Sequence, residues 1–374
     1  MRSTGTYQRL GDLNYFLPSD LPPSNPPFEI NTEVMSLYGQ ASFALGQLNE
    51  MSMRLPDPKR FIKAYVIKEA LLSSSIEGIH TTLLQIFTYP LGEPKPNKDT
   101  QLVLNYTKAL DTALAMIKDE GLPLVNRVLL KTHEVLMSAG KGDKSTPGIY
   151  RKQSVRVGDH VPPLASEIEN LMSRLEKYIN EPADLPPLIK AGLVHVQFET
   201  IHPFLDGNGR IGRLLIVLMM IDSKLLHLPI LYPSYYFKTH HLEYYQLLDR
   251  VRTHGDFESW IIYYLKAIRD SALDAHTRAK EIEELENRLK SLIQESSHFA
   301  KMRETAIFVL EYLFTQPVTA IAEISQKLDK AYNTISNILK KFVELDIVSE
   351  NTLHKRNKLY RFEVYLTLLE KEYS

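Results

Sequence analysis

Twelve consecutive residues, His202-Pro203-Phe204-Leu205-Asp206-Gly207-Asn208-Gly209-Arg210-Ile211-Gly212-Arg213, carry the side chains best suited to chemistry. A proline disfavours helical backbone at the residue before it. The apolar helix arriving from Leu188 must therefore stop at His202, leaving its imidazole free to face a pocket. Gly207 and Gly209 permit left-handed backbone at two nearby positions, and such a loop can turn successive N–H groups inward as an anion nest. The next helix opens near Gly209, so its N-terminal N–H groups and dipole face the same loop. Arg210 and Arg213 lie three apart on its first turn, on one side of it. Together these features predict a polyphosphate site. Asp206 adds a hard oxygen ligand suited to Mg²⁺, and His202 is the evident general base beside it.

Each feature alone has an ordinary explanation. Gly-Asn-Gly is commonly a turn, a loop histidine a surface residue, and a pair of helical arginines solvent-facing. An EF-hand reading of Asp206 and Asn208 fails, because Arg210 replaces the next ligand and Ile211 sits where the glycine belongs. No Gly-Lys-Ser/Thr follows a strand, so a Walker loop is absent. The weight lies in all the features falling within twelve residues.

The elements that must position this loop read as helical. The spacing predicts helices over 33–53, 60–75, 100–119, 126–138, 165–180, 187–201, 209–222 and 240–271. The first thirty residues, with Pro18, Pro22, Pro23, Pro26 and Pro27, read as an extended arm that Phe16 and Phe28 could anchor. Ser145 to Pro163 alternates around Val155 and Val157 between glycines, which predicts a short β-hairpin flap. Ala275 to Ser291 is a charged helix with the composition of a solvated face.

Composition bounds the rest. The chain has 374 residues, is 44% hydrophobic and 24% charged, and has a formal net charge of −1, so any nucleic-acid surface must be local. It has no cysteine, which excludes disulfides, thiolate metal sites and cysteine nucleophiles. The N-terminus lacks an apolar signal core, and the longest apolar run, Leu214 to Ile221, is too short to span a bilayer. A cytoplasmic protein with no membrane partner is expected.

His202 to Arg213 resembles the HxFx(D/E)GNGRxxR signature of the Fic family at every specified position. Pro147-Gly148-Ile149-Tyr150-Arg151 with Val161-Pro162-Pro163 resembles the family's target-docking flap. Ser73-Ser74-Ser75-Ile76-Glu77-Gly78 resembles its inhibitory (S/T)xxxE(G/N) motif. Over nearly its whole length the chain is similar to multidomain bacterial Fic proteins. The resemblance implies an all-α, mainly helical core with a short β-hairpin flap, followed by a small C-terminal winged helix-turn-helix domain. The expected divisions are an N-terminal arm and helix (1–55), an inhibitory-helix region (56–98), a catalytic core (99–272), a helical linker (273–300) and the winged helix (301–374).

The implied activity is transfer of AMP from ATP to a Ser, Thr or Tyr hydroxyl of a protein docked at the flap, 147–163. His202 would be the base and Asp206 would hold Mg²⁺. Gly207, Asn208 and Gly209 would cradle the phosphates with backbone and amide donors, Arg210 would stabilise the phosphate chain, and Arg213 would orient the γ-phosphate. Tyr236, Tyr244 and Tyr245 are candidates for the adenine wall. Glu77, with Ser73 one turn earlier, would pair with Arg213 and inhibit. Removal of AMP by the same site, and a DNA-binding regulator with a nucleotide-sensing core, are the alternatives. Self-association into a homodimer stays open. So does DNA binding through 331–345 and 354–358, because residues 301–374 carry eleven Lys and Arg against ten Asp and Glu.

Overall fold

The computed structural model describes residues 2–54, 58–91, 97–138, 146–182, 185–351 and 358–371. An antiparallel hairpin opens the chain, β1 (Gly5–Leu10) against β2 (Leu13–Pro18). This corrects the expected irregular arm. Phe16 is nonetheless the buried anchor that its sequence context predicts, and Phe28 is half-buried.

Helices follow in the order α1 (Thr32–Arg54), α2 (Pro58–Ile76), α3 (Leu83–Thr88), α4 (Lys98–Lys118), α5 (Asn126–Leu136), α6 (Ile168–Asn180), α7 (Pro187–Ile201), α8 (Asn208–Asp222), α9 (Ser234–Thr239), α10 (His241–His254) and α11 (Phe257–Glu295). The short α3 has a capping box: Thr82 accepts from the Gln85 N–H, and the Gln85 side chain accepts from the Thr82 N–H. α7 is buried on every side from Leu188 to Ile201, as its apolar sequence requires of a central helix. α8 packs along it, and α11 packs against α7 and α1.

α11 runs unbroken through the expected boundary at 272, so the linker predicted over 273–300 is largely its second half. Most of its charges face solvent, while Asp274, Arg278 and Glu286 are buried, the first two as an ion pair. Ala275, Ala279, Ile282, Leu285 and Leu289 are buried on its inner face, against α1 and the C-terminal elements.

Those elements are α12 (Arg303–Thr315), β3 (Val318–Ala320), α13 (Ile321–Leu328), α14 (Tyr332–Glu344), β4 (Ser349–Asn351), β5 (Leu359–Arg361) and α15 (Glu363–Glu370). The strands form one antiparallel sheet in the order β3-β5-β4. Of the expected DNA-contacting tip, His354, Lys355 and Arg356 lie outside the described residues, while Lys358 pairs with Glu350 at 2.6 Å. The module grips α2 and α3: the Gln316 amide donates to the Phe87 carbonyl of α3 at 2.6 Å and accepts from Lys63 of α2 at 3.1 Å. Among the described residues no helix is long and apolar enough to cross a membrane.

The flap is also corrected. Over 147–163 the only β pairing is an isolated bridge, Val157 with His160. Pro162 and Pro163 lack the donors a ladder needs. Side-chain bonds hold the segment instead, and the Phe16 N–H donates to the Val161 carbonyl at 2.9 Å, tying it to β2.

Candidate active site

The loop between α7 and α8 is built by its own residues. His202 ends α7 in the left-handed region, φ 50°, and its N–H closes on the Phe198 carbonyl at 2.9 Å. Gly207, φ 81°, supplies the second reversal just before α8. Gly209 is helical, so its expected left-handed role falls away. It matters for the space it leaves, as shown below.

Asn208 is buried, and its amide is fully committed. Its Oδ1 accepts from the Phe204 N–H and its Nδ2 donates to the Phe204 carbonyl, both at 2.8 Å. Through these bonds Asn208 shapes the loop. Asn208→Ala strands two buried backbone groups, so the denaturation midpoint should report a loss of about 1–3 kcal/mol.

Phe204 is fully buried and stacks on His133, with ring centroids 3.7 Å apart. The Gly148 N–H donates to His133 Nδ1 at 2.9 Å, so Nε2 carries the proton and donates to the Asp206 carbonyl at 3.0 Å. Burial holds the His133 pKa down at about 4. A neutral histidine thus ties α5, the flap and the loop together.

Arg151 does the same from below. Its Nε donates to the His202 carbonyl at 2.8 Å, and Nη2 to the Pro163 carbonyl at 2.7 Å. Its own N–H reaches the Pro203 carbonyl at 2.9 Å. Among the described residues its hydrogen-bond partners are carbonyls, and burial lowers its pKa to about 10. Burial first, and then the Arg151 charge, press the His202 pKa down to about 4, with Glu77 opposing. The imidazole is therefore neutral at neutral pH, with a ring nitrogen free of its proton.

The two arginines of α8 differ. Arg210 is 1% exposed and sits 3.4 Å from Asp206 Oδ1. Its Nε and Nη1 are buried with no hydrogen-bond partner among the described residues. Such orphaned cationic donors are costly unless an anion meets them. Arg213 is already satisfied. Nε donates to Ser73 Oγ and Nη2 to the Ser73 carbonyl, both at 2.9 Å, and Nη2 also meets Glu77 Oε1 at 2.7 Å. A Cβ on Gly209 would overlap that same Glu77 oxygen, so this contact requires the glycine. Burial works against both charges. The pair overrides it, holding the Glu77 carboxyl below and the Arg213 guanidinium above their usual ranges.

The comparisons with known proteins agree with this geometry. The Fic/DOC family N-terminal region matches residues 35–115, and the Fic/DOC family domain matches residues 123–220. Over these residues the chain resembles the Fic/DOC family. A Drosophila erecta relative named protein adenylyltransferase Fic is 29% identical over 262 residues, 68% of this chain and 49% of the relative. A Drosophila persimilis relative of the same name is 28% identical over 320 residues, 80% of this chain and 60% of the relative. The chain therefore spans about half to three fifths of these relatives' length. A Fic family protein from Desulfovibrio desulfuricans G20 matches in fold with a TM-score of 0.56 at 22% identity, covering 90% of this chain and 97% of that one. A Fic domain-containing signaling protein from Bacteroides thetaiotaomicron matches at 0.50 and 20% identity, covering 66% and 95%.

Not every expected residue joins the Fic loop. Tyr244 is fully buried. His195 donates from Nδ1 to the Gly212 carbonyl at 2.9 Å, so its Nε2 accepts the Tyr244 hydroxyl at 2.8 Å. Tyr244 is a core residue behind α8 and offers no adenine wall. Tyr236 stacks on His240, centroids 4.1 Å apart, in a cavity of about 310 Å³ that shares no residue with 202–213. The half-exposed Tyr245 feels the charges of the site, as the buried Tyr244 does. Burial, then Glu77, push the Tyr245 pKa up to about 12, with Arg213 opposing.

Asp206 presents a carboxylate with a 62% exposed side chain, and its Oδ1 accepts from the Gly207 N–H at 2.6 Å. Among the described residues no group of three or more His, Asp or Glu forms a cage for a metal ion. The donor set suits an ion held by one carboxylate and substrate phosphates, the usual habit of Mg²⁺. His133, Glu199 and the anchoring role of Arg151 escaped the sequence reading, because each is a single polar residue whose partners lie far along the chain or on other helices.

Proposed function

We propose that this chain is a protein adenylyltransferase held in check by Glu77. The observation that carries the reading is the pairing of a neutral, half-buried His202 with two adjacent cationic sites. One of these, Arg210, has orphaned donors; the other, Arg213, is already occupied by a carboxylate. The relatives' name, protein adenylyltransferase Fic, supports the same reading.

The chemistry follows from the residues. His202 takes the proton of a target hydroxyl. That oxygen bonds to the α-phosphorus of ATP, and the bond from that phosphorus to pyrophosphate breaks. Arg210 meets the phosphate chain with its unpaired Nε and Nη1, and the α8 N-terminus faces the same charge. Arg213 receives the γ-phosphate once Glu77 leaves. Mg²⁺, bound through Asp206, would neutralise phosphate charge. The flap, stapled to the loop by Arg151, presents the target beside His202.

Because the His202 pKa lies near 4, kcat/KM for transfer should be flat from about pH 5 to about pH 9. Removing Glu77 takes away a charge that raises this pKa, so the profile of Glu77→Gly should likewise show no ascending limb above about pH 5. Initial rates of label transfer check this. An ascending limb centred near neutrality would show that the base is not this imidazole.

A further inference from the structure

α8 opens with two glycines three residues apart, and each makes room for a carboxylate. A Cβ on Gly209 would overlap Oε1 of Glu77, and a Cβ on Gly212 would overlap Oε1 of Glu199. Arg213 follows Gly212 directly and lies one turn beyond Gly209. Two acids therefore lean on the helix surface at the base of its guanidinium. Only Glu77 forms an ion pair with it, at 2.7 Å.

Glu199 is held differently. It belongs to α7, one turn before His202, on the scaffold that carries the base. It is buried, and its Oε1 has no hydrogen-bond partner among the described residues. A carboxylate so placed is costly while ionised, and a proton removes that cost. The transfer chemistry gives it no part.

We propose that Glu199 is a positioning residue for Arg213: a second carboxylate that carries charge while Arg213 faces an empty site and takes up a proton when an anion seats there. The anion is either the Glu77 carboxylate or a nucleotide phosphate. The proposal deepens the adenylyltransferase reading and rests on it. The net charge around Arg213 then changes little when Glu77 gives way to phosphate, so the guanidinium keeps one orientation through the exchange.

The groups around Glu199 support the direction of the effect. Arg213 faces it from α8, Glu77 from the end of α2, Arg252 and Tyr244 from α10, and His195 from one turn earlier on α7. Tyr245 of α10 lies in range as well. Burial holds His195 neutral, with a pKa near 3, and both tyrosines are pushed up. Glu199 is therefore the group among them that changes charge near neutrality. Burial raises its pKa to about 7, Glu77 adds to the rise, and Arg213 and Arg252 oppose it. Removing Glu77 lowers this pKa and leaves Glu199 ionised above neutral pH. A phosphate at Arg213 raises it again, so nucleotide entry must bring a proton with it.

The test is calorimetric titration of ATP into full-length Glu77→Ala at about pH 8, in buffers of differing ionisation enthalpy. ATP's own terminal phosphate is already ionised there, so the buffer dependence counts protons taken up by the protein. The expected uptake is a fraction of one proton per ATP, growing as the pH is lowered toward neutrality, with affinity falling as the pH rises by correspondingly less than tenfold per unit. Adding Glu199→Gln should abolish the uptake and flatten the pH dependence, and Glu199→Asp should restore both. An equal proton count with and without Glu199→Gln overturns the proposal and leaves Glu199 a packing residue. If the Gln variant does not fold, zero uptake in Glu77→Ala alone overturns it equally. Absence of ATP binding in Glu77→Ala is a separate result, since it removes the nucleotide reading of the site on which the proposal stands.

Discussion

Glu77→Gly should raise the rate of AMP transfer by roughly 10- to 100-fold over the wild-type chain. The estimate comes from the contact that must break. Hydrogen bonds to charged groups contribute about 1.5–3 kcal/mol each, and each 1.4 kcal/mol of preference for the closed arrangement is about tenfold in the open population. The Arg213–Glu77 contact is short, and its arginine is 1% exposed. Ser73 fixes the same guanidinium with two further bonds, so Arg213 is held where Glu77 meets it. The substitution should cost the fold little. Glu77 lies just beyond α2, next to Gly78, whose φ of +76° already ends the helix. Glu77→Gln, which keeps the shape and loses the charge, should give an intermediate gain. An unchanged rate in Glu77→Gly, with ATP bound normally, would remove the inhibitory role.

His202→Ala, introduced into the activated background, should lower the transfer rate by about 10²- to 10⁴-fold, the usual contribution of a positioned general base. ATP affinity should change little, because Arg210 and Arg213 are untouched. The backbone adds a complication. His202 sits at φ 50°, where alanine is strained. His202→Asn separates the two effects, since asparagine tolerates this conformation and cannot act as the base. Equal losses in both variants assign the effect to the imidazole. A loss confined to alanine assigns it to loop geometry.

The catalytic loop was legible because its signals are local. A proline after a histidine, two glycines and two arginines within twelve residues dictate a helix end, a reversal and a new helix whatever surrounds them. The Glu77–Arg213 contact came from a motif spanning six residues, and the structure brings the pair together across 136 positions. What escaped is long-range. His133 sits on an apolar helix face, and nothing nearby says that its ring links Gly148 to Asp206. Arg151 reads as a flap residue until its carbonyl partners at 163, 201 and 202 are placed around it. Tyr244 reads as an aromatic near a nucleotide site until His195 claims its hydroxyl.

The N-terminal hairpin was hidden by its neighbours. The prolines from Pro18 onward argued for an extended arm, although Gly11-Asp12 between alternating segments is itself a two-residue turn signal. The flap misled in the opposite sense. Its alternation around Val155 and Val157 suits a strand, but apart from the single bridge of Val157 with His160 its backbone bonds go to side chains, to Pro203 and to β2. The helix over 257–295 shows the remaining limit. A run rich in Glu, Lys and Arg gives no warning that every third or fourth position is buried along another helix.

The most direct test of an inhibited AMP transferase follows the label. Wild type, Glu77→Gly, and Glu77→Gly with His202→Ala are each incubated with ATP labelled at the α-phosphate and, separately, at the γ-phosphate, with cell lysate as the source of targets. Protein labelled from the α position alone, strongest in Glu77→Gly and lost without His202, is the predicted result. Label entering protein from the γ position, or α-label that persists without His202, would contradict it.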